Sequence, residues 1–240
     1  MHKCEMSNSM ESNKYIFIYS SVMVILVALV LSSAAMFLRP MQDRNVKIER
    51  MQNILSSVNI IVSRAEAEQA FEKYIVDSKV VNTVGDEIEG NAFDVDLSLE
   101  IRKEPAQRQL PIFIANVNGE TYYIIPVRGA GLWGPIWGFL SLKSDLITIF
   151  GANFDHTSET PGLGSQIADL EFEAQFVGER IFDDAGNFAP IRVIRGGARQ
   201  DDPHGVDAIS GGTITSQGVD EMLVEGIGNY VSYFKKLKNQ

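Results

Sequence analysis

The stretch with the most chemical promise is Asp207-Ala208-Ile209-Ser210-Gly211-Gly212-Thr213-Ile214-Thr215-Ser216. Hydroxyl side chains sit there among small residues, and a helical pattern starts directly afterwards. Val219, Met222, Leu223, Gly226, Ile227, Tyr230, Val231 and Phe234 recur at helical spacing. Thr215 or Ser216 suits the N-cap. Asp220 and Glu221 in the first turn, with Lys235, Lys236 and Lys238 near the end, complement the helix dipole. Thr213 is thus expected just before a helix N-terminus, where free N–H groups and the positive dipole end favour a phosphate. No His or Lys base neighbours Thr213 in sequence, so self-catalysed acyl chemistry is not expected. An acceptor hydroxyl modified by another enzyme needs only access and flexibility, and Gly211 and Gly212 offer both. On residue chemistry alone this is a helix-capping loop first and an anion site second.

Two more glycine loops lie upstream. Arg128 to Gly138 holds Gly129, Gly131, Gly134 and Gly138 together with the chain's two tryptophans, Trp133 and Trp137. An aromatic ring beside a glycine loop packs on a flat heterocycle; the other reading is a strand connection with core tryptophans. It is no dinucleotide fingerprint, because the spacing differs and no helix follows. His156 to Ser165 contains Pro161-Gly162 and then Gly164, which set a tight turn. Its N–H groups suit an anion or a carbonyl-rich ring edge. His156 beside Glu159 has the look of an acid–base pair, but no nucleophile pattern accompanies it. His2, His156 and His204 are scattered and form no metal-ligand spacing.

These loops need elements to hold them. Ala65 to Val76 reads as a packing helix with Ala67, Ala70, Phe71, Tyr74 and Ile75 on one face. Phe93 to Arg102 alternates apolar and polar and is expected as a half-solvated strand. Leu110 to Val117 and Thr121 to Val127 read as strands joined at Asn118-Gly119, a strong hairpin signal. Phe139 to Leu142, Ile147 to Phe150 and Ile191 to Ile194 read as short strands, and Ser165 to Phe172 as a short helix. With the final helix this gives an α+β domain built on antiparallel hairpins, expected over residues 65–240.

The 240 residues carry a formal net charge of −10. An acidic chain without a basic cluster argues against nucleic acid as a partner. The one cysteine, Cys4, excludes an internal disulfide and a cysteine-ligated cluster. Tyr15 to Leu38 has no charged residue, with Lys14 and Arg39 at its ends. About 20 apolar residues cross a bilayer as a helix, and a cleaved signal peptide has a shorter apolar run. The expected order is a tail over 1–13, a membrane helix over 14–38 and a linker of short helical pieces over 39–64. Arg39, Arg44, Lys47 and Arg50 outnumber Lys3 and Lys14, which by charge alone puts the C-terminal domain in the cytoplasm.

Three motifs in order carry a family resemblance: Gly131-Leu132-Trp133-Gly134-Pro135, Glu159-Thr160-Pro161-Gly162-Leu163-Gly164, and His204-Gly205-Val206-Asp207 leading into Ser210-Gly211-Gly212-Thr213-Ile214-Thr215. From anchor to C-terminus the chain resembles the C subunits of sodium-translocating NADH:quinone oxidoreductases (Nqr), and more distantly the flavin-carrying G subunits of Rnf complexes. Trp133 is closer to the Nqr form. The resemblance implies FMN esterified through its phosphate to the Thr213 hydroxyl by a separate Mg²⁺-dependent flavin transferase that draws on FAD. It implies that Ser210, Gly211, Gly212 and Thr215 surround that threonine, and that Glu159, Thr160, Gly162, Leu163, Gly164 and Trp133 lie near the isoalloxazine ring. Family members usually have alanine where this chain has Gly212. The implied role is a redox carrier among the other Nqr subunits in the inner membrane, within a sodium-translocating oxidoreductase. The subunit itself would not act on NADH or quinone. The resemblance sets the flavin domain on the periplasmic face, against the raw charge count; long translocated domains follow that count poorly. The anchor, lacking ionisable groups, offers no sodium path. The rivals are an Rnf G subunit and a membrane-anchored binding module without flavin.

Overall fold

The structure, a computed structural model, describes residues 5–199 and 201–238. His2 and Cys4 lie outside the described residues. Contacts divide the chain into two compact units, residues up to Ile48 and residues 49–240. The first holds helix α1 (Glu5–Ser56) as far as Ile48, with the apolar side chains from Tyr15 to Leu38 exposed. This helix is long and apolar enough to cross a membrane. It differs from the expected helix and broken linker by running on through Pro40 to Ser56. Good helix formers flank Pro40 on both sides and carry the helix across it, although an interior proline loses its backbone donor and crowds the preceding turn.

The second unit is built on one six-stranded antiparallel sheet in the order β2-β1-β3-β4-β5-β6. Its strands are β1 (Ile75–Val81), β2 (Glu87–Ile88), β3 (Leu110–Val117), β4 (Glu120–Ala130), β5 (Pro135–Leu142) and β6 (Ile149–His156). Both faces are covered, and the side-chain alternation of a strand sorts the apolar residues between them. Leu110 and Ile112 of β3, Ile125 and Val127 of β4, and Ile136 and Leu140 of β5 join one core with the C-terminal helices. Phe113, Ala115, Tyr122, Ile124 and Phe139 point the other way, to a second core that includes Ile54 and Val58. Residues 39–64 therefore contribute to the domain core through the end of α1 and the turn after it. Arg50 reinforces that end by donating to the Phe93 and Val95 carbonyls at 2.8 and 3.3 Å. Helix α2 (Ala67–Tyr74) packs on this side through buried Ala67 and through Phe71.

The hairpin at Asn118-Gly119 has φ of 55° and 88° at its two central residues, as its turn type demands. The expected strand over Phe93 to Arg102 does not form. Asn91 Oδ1 accepts from Phe93 N, and Asp96 Oδ1 accepts from Ser98 N at 2.9 Å, capping a short helix α3 (Leu97–Glu100). Local side-chain bonds to the backbone outcompete the alternating pattern here. Beyond β6 come a 3₁₀ turn (Gly164–Ala168), α4 (Leu170–Ala174), and the parallel pair β7 (Arg192–Ile194) and β8 (Gly205–Asp207). The pattern after Thr215 suggested one helix, but it is two, α5 (Thr213–Gly228) and α6 (Val231–Lys238). The break falls at buried Tyr230, whose hydroxyl donates to the Pro111 carbonyl at 3.0 Å. Helix α5 lies across β4 at very close range. A Cβ on Gly218 would strike the Ala130 carbonyl, and one on Gly129 would sit 2.7 Å from Met222 Cβ.

Candidate functional site

The three glycine loops converge. The first is the tight connection between β4 and β5, closed by Gly131 N donating to Gly134 O at 2.8 Å. The second follows β6 and turns at Gly162, with φ of 73°. There the Thr160 carbonyl accepts from the Leu163 and Ser165 amides at 3.1 and 3.2 Å. The third joins β8 to α5.

Glu159 ties them together. Its side chain is buried at 4% exposure. Oε1 accepts from the Trp133 amide at 2.9 Å, and Oε2 accepts from the Thr215 hydroxyl at 2.6 Å. One carboxylate thus hydrogen-bonds to loop one, sits on loop two and holds the first turn after loop three. The glycines beside it leave it room. A Cβ on Gly131 would collide with Glu159 Oε1, and a Cβ on Gly164 with both Thr215 Oγ1 and Glu159 Oε2. His156 does not pair with the Glu159 carboxylate; its Nδ1 accepts from the Glu159 amide at 3.2 Å, a structural contact.

The start of α5 differs from expectation in a way that matters. The N-cap is Gly212, and Thr213 is the first helical residue. Ser216 N donates to Gly212 O at 2.8 Å, which closes the first turn earlier than foreseen. Thr215 and Ser216 do not cap. The Thr215 hydroxyl goes to Glu159, and Ser216 Oγ accepts from Ile209 N at 3.0 Å. The latter bond fastens the loop from Ile209 to Ser216 across its base. Ser210, Gly211, Thr213 and Ile214 remain exposed, while Gly212, Thr215 and Ser216 are buried. Gly211 has φ of 76°, and a Cβ there would meet Leu163 Cδ2 at 2.7 Å, so the second and third loops touch. Gly212 has φ of −97°, which alanine also adopts. A methyl at that position would meet Ile209 Cγ2 at 2.9 Å. Ile209 therefore fills the room that an alanine methyl would take.

Beside Thr213 lies an open cleft of about 430 Å³ lined by Ser210, Gly211, Arg195, Gly196 and Gly197 among others. Leu163 and Trp133 stand exposed at 41% and 66% on the neighbouring loops. Trp137 is placed differently, on β5 opposite Arg128, whose guanidinium is 5.8 Å from its ring centre. Neither Arg195 nor the closing bond of Ser216 is marked in the sequence: the first folds back onto Gln217, 22 residues on, and the second depends on how the loop from Ile209 closes. A second buried carboxylate, Glu173 of α4, is pushed up to about 7 by burial, while the Phe154 amide on it pulls the other way. It lies behind β6, outside the cleft lining. Among the described residues no group of His, Cys, Asp and Glu could hold a metal ion.

The residues present fit a phosphate-linked flat cofactor. The exposed hydroxyl of Thr213 stands at the N-terminus of a 16-residue helix. Open cleft space adjoins it, and Leu163 reaches Gly211 of the same loop with apolar surface for a ring to lie against. The family model of the FMN-binding domain matches residues 131–228, which takes in all three loops. The C subunit of the Na(+)-translocating NADH-quinone reductase of Vibrio anguillarum is 32% identical over 242 residues, covering 93% of each chain. Its counterpart in Vibrio vulnificus is 31% identical over 221 residues, 84% of this chain and 86% of the relative. The crystal structure of the C subunit from Parabacteroides distasonis superposes with a TM-score of 0.77 at 43% identity, covering 82% of this chain and 96% of that one. That of Shewanella oneidensis NqrC gives 0.69 at 26%, covering 82% and 100%. With such similarity running through nearly the whole length, and not only through the three loops, the chain belongs to the family of Na(+)-translocating NADH-quinone reductase C subunits.

Proposed function

We propose that the protein is a membrane-anchored redox carrier with FMN joined by a phosphoester to Thr213, passing electrons between partner subunits of a sodium-translocating NADH–quinone reductase. The observation that carries this reading is the contrast at the head of α5. Thr213 is exposed beside the cleft, while Thr215 and Ser216 in the same turn are buried and hydrogen-bonded elsewhere. Of the hydroxyls in this helix turn, only that of Thr213 is open to a modifying enzyme. The link would form by transfer of the FMN phosphoryl group from FAD to the Thr213 hydroxyl, the phosphoanhydride breaking with AMP as the leaving group and the hydroxyl proton released. Once attached, the flavin supplies reversible electron uptake and release. The chain's residues would hold it: the α5 N-terminus would meet the phosphate, and Leu163 and Trp133 would offer apolar surface to the ring. A covalent link keeps the cofactor in place in every redox state. The apolar part of α1 anchors the subunit in the inner membrane, with the flavin domain on the periplasmic side.

Intact mass of the chain co-expressed with its flavin transferase checks the link. The expected gain is FMN less one water, on the peptide that contains Thr213. Thr213→Ala is expected to abolish the gain and the flavin fluorescence of the denatured band. An unmodified Thr213 peptide from co-expressed protein supports the cofactor-free binding module and defeats this reading.

A further inference from the structure

We infer that Arg195 is the positioning residue that receives the phosphodiester at Thr213, an assignment that rests on the flavin link proposed above. Arg195 and Thr213 line the same cleft. The backbone that carries Arg195 is pinned to α5. Arg192 Nε and Nη2 grip the two Asp220 oxygens at 2.8 Å each, and the Val193 amide donates to Asp220 Oδ1 at 2.9 Å. Arg195 then reaches α5 itself, where Nη2 donates to Gln217 Oε1 at 3.2 Å. Gln217 lies four residues after Thr213, hence on the same helix face one turn along. Gln217 Nε2 donates in turn to Glu221 Oε1 at 2.9 Å, so the amide is fixed and holds the guanidinium against this face of α5, in the cleft that Thr213 also lines.

The charge of Arg195 is not spent on a carboxylate. Nearby arginines are paired: Arg192 with Asp220, Arg199 with Asp201, Arg180 with Asp184. Among the described residues Arg195 forms no salt bridge, and its hydrogen-bond partner is the neutral Gln217 amide. The carboxylate in the cleft lining, Asp207 at the end of β8, is turned to the loop after β7, where Oδ1 accepts from Ala198 N at 2.6 Å. A guanidinium has five N–H donors in a planar fork that matches two phosphate oxygens. With one donor on Gln217, the rest are available toward the cleft. A phosphodiester bears a single negative charge near neutral pH, and its two free oxygens are acceptors of that kind. The neighbouring Gly196 and Gly197, with φ of 86° and 101°, put no side chain between the guanidinium and the cleft.

The test uses the full chain in detergent, co-expressed with the flavin transferase, as wild type, Arg195→Gln, Arg195→Lys and the surface control Arg199→Gln. Intact mass first reports whether FMN is attached. The ³¹P resonance of the attached phosphodiester then reports on its partner. In wild type it is expected away from the position it takes in urea. Arg195→Gln should move it most of the way to the urea value and lower the anisotropy of flavin fluorescence as the cofactor gains freedom. Arg195→Lys should fall between, and Arg199→Gln should match wild type. Should Arg195→Gln fold yet take up no FMN while the lysine variant and the control are loaded, a cation at the phosphate is again supported, now during transfer. A resonance and anisotropy unchanged in Arg195→Gln overturn the assignment, as does an equal change in Arg199→Gln. Unmodified wild-type protein defeats the flavin link itself, a separate outcome read from the mass alone.

Discussion

At the scale of single residues the site depends on Glu159. A buried carboxylate is costly unless its oxygens are met by donors, and here each oxygen has one: the Trp133 amide and the Thr215 hydroxyl. Glu159→Ala strands both donors, the Thr215 hydroxyl in a buried setting, and should cost about 2–6 kcal/mol, since each unmet buried group costs about 1–3 kcal/mol. Glu159→Gln keeps an acceptor for the amide and should cost much less. Thr215→Val removes one bond from the other side. In a double-mutant cycle the Glu159→Ala and Thr215→Val effects should fail to add by about 1 kcal/mol or more, because the two groups share one bond. Urea midpoints of the four proteins measure this, and strict additivity would remove Glu159 from its role as the tie between loops. The residue types in this network were legible in sequence: Glu159, Gly164, Thr215 and Trp133 stand in motifs that resemble a family. What the motifs left unsaid was the bonding. Thr215 read as a helix cap, whereas its hydroxyl faces across the site. Arg195 gave no signal, since nothing in the sequence says that it folds back onto Gln217.

At the scale of elements, legibility followed how local the determining physics is. The β3–β4 hairpin was readable because two positive φ values at Asn118-Gly119 are a demand of the turn alone. The strand expected over Phe93 to Arg102 failed for an equally local reason, the bonds from Asn91 and Asp96. The break between α5 and α6 was hidden because it answers to a distant partner, the Pro111 carbonyl. The end of α1 is the largest case. Its sequence shows no strong periodicity, yet Ile54 and Leu55 are fully buried in the domain and Val58 after it is 1% exposed. Ser141 Oγ donates to the Ser57 carbonyl, and Gln52 Nε2 to the Val62 carbonyl at 2.8 Å. Full burial of such a side chain stabilises by about 1.5–3 kcal/mol, so the three together contribute roughly 5–9 kcal/mol. That is comparable to the whole stability of an ordinary domain, about 5–15 kcal/mol. A fragment spanning 49–240 should therefore fold cooperatively in urea. One spanning 65–240, the boundary expected from sequence, should lose most of its stability or aggregate. Equal urea midpoints for the two fragments would place the end of α1 outside the folding unit.

At the scale of the whole molecule, the side of the membrane that the domain occupies follows from weighing two signals of different kinds. The positive charges after the apolar run, Arg39, Arg44, Lys47 and Arg50, exceed those before it, Lys3 and Lys14. That rule is strongest for short loops and weak for long translocated domains, and here the segment after the anchor is the entire folded unit of residues 49–240. The mixed acidic residues Asp43 and Glu49 lie among those charges, and the domain has no cysteine that an oxidising compartment would trap. We therefore predict that the domain lies outside the cytoplasm. The exposed Asn118-Gly119 turn offers a place to test this, since the turn is at the tip of the β3–β4 hairpin and away from the three loops. In a Cys4→Ser background, Asn118→Cys should react with a membrane-impermeant maleimide on intact cells whose outer membrane admits the reagent. A cysteine returned to position 4 should react only after lysis. The opposite pattern, with position 118 labelled only in lysed cells, would reverse the orientation. It would also put the maturing transferase and the electron partners of Thr213 on the cytoplasmic side, while leaving the chemistry at that threonine as proposed.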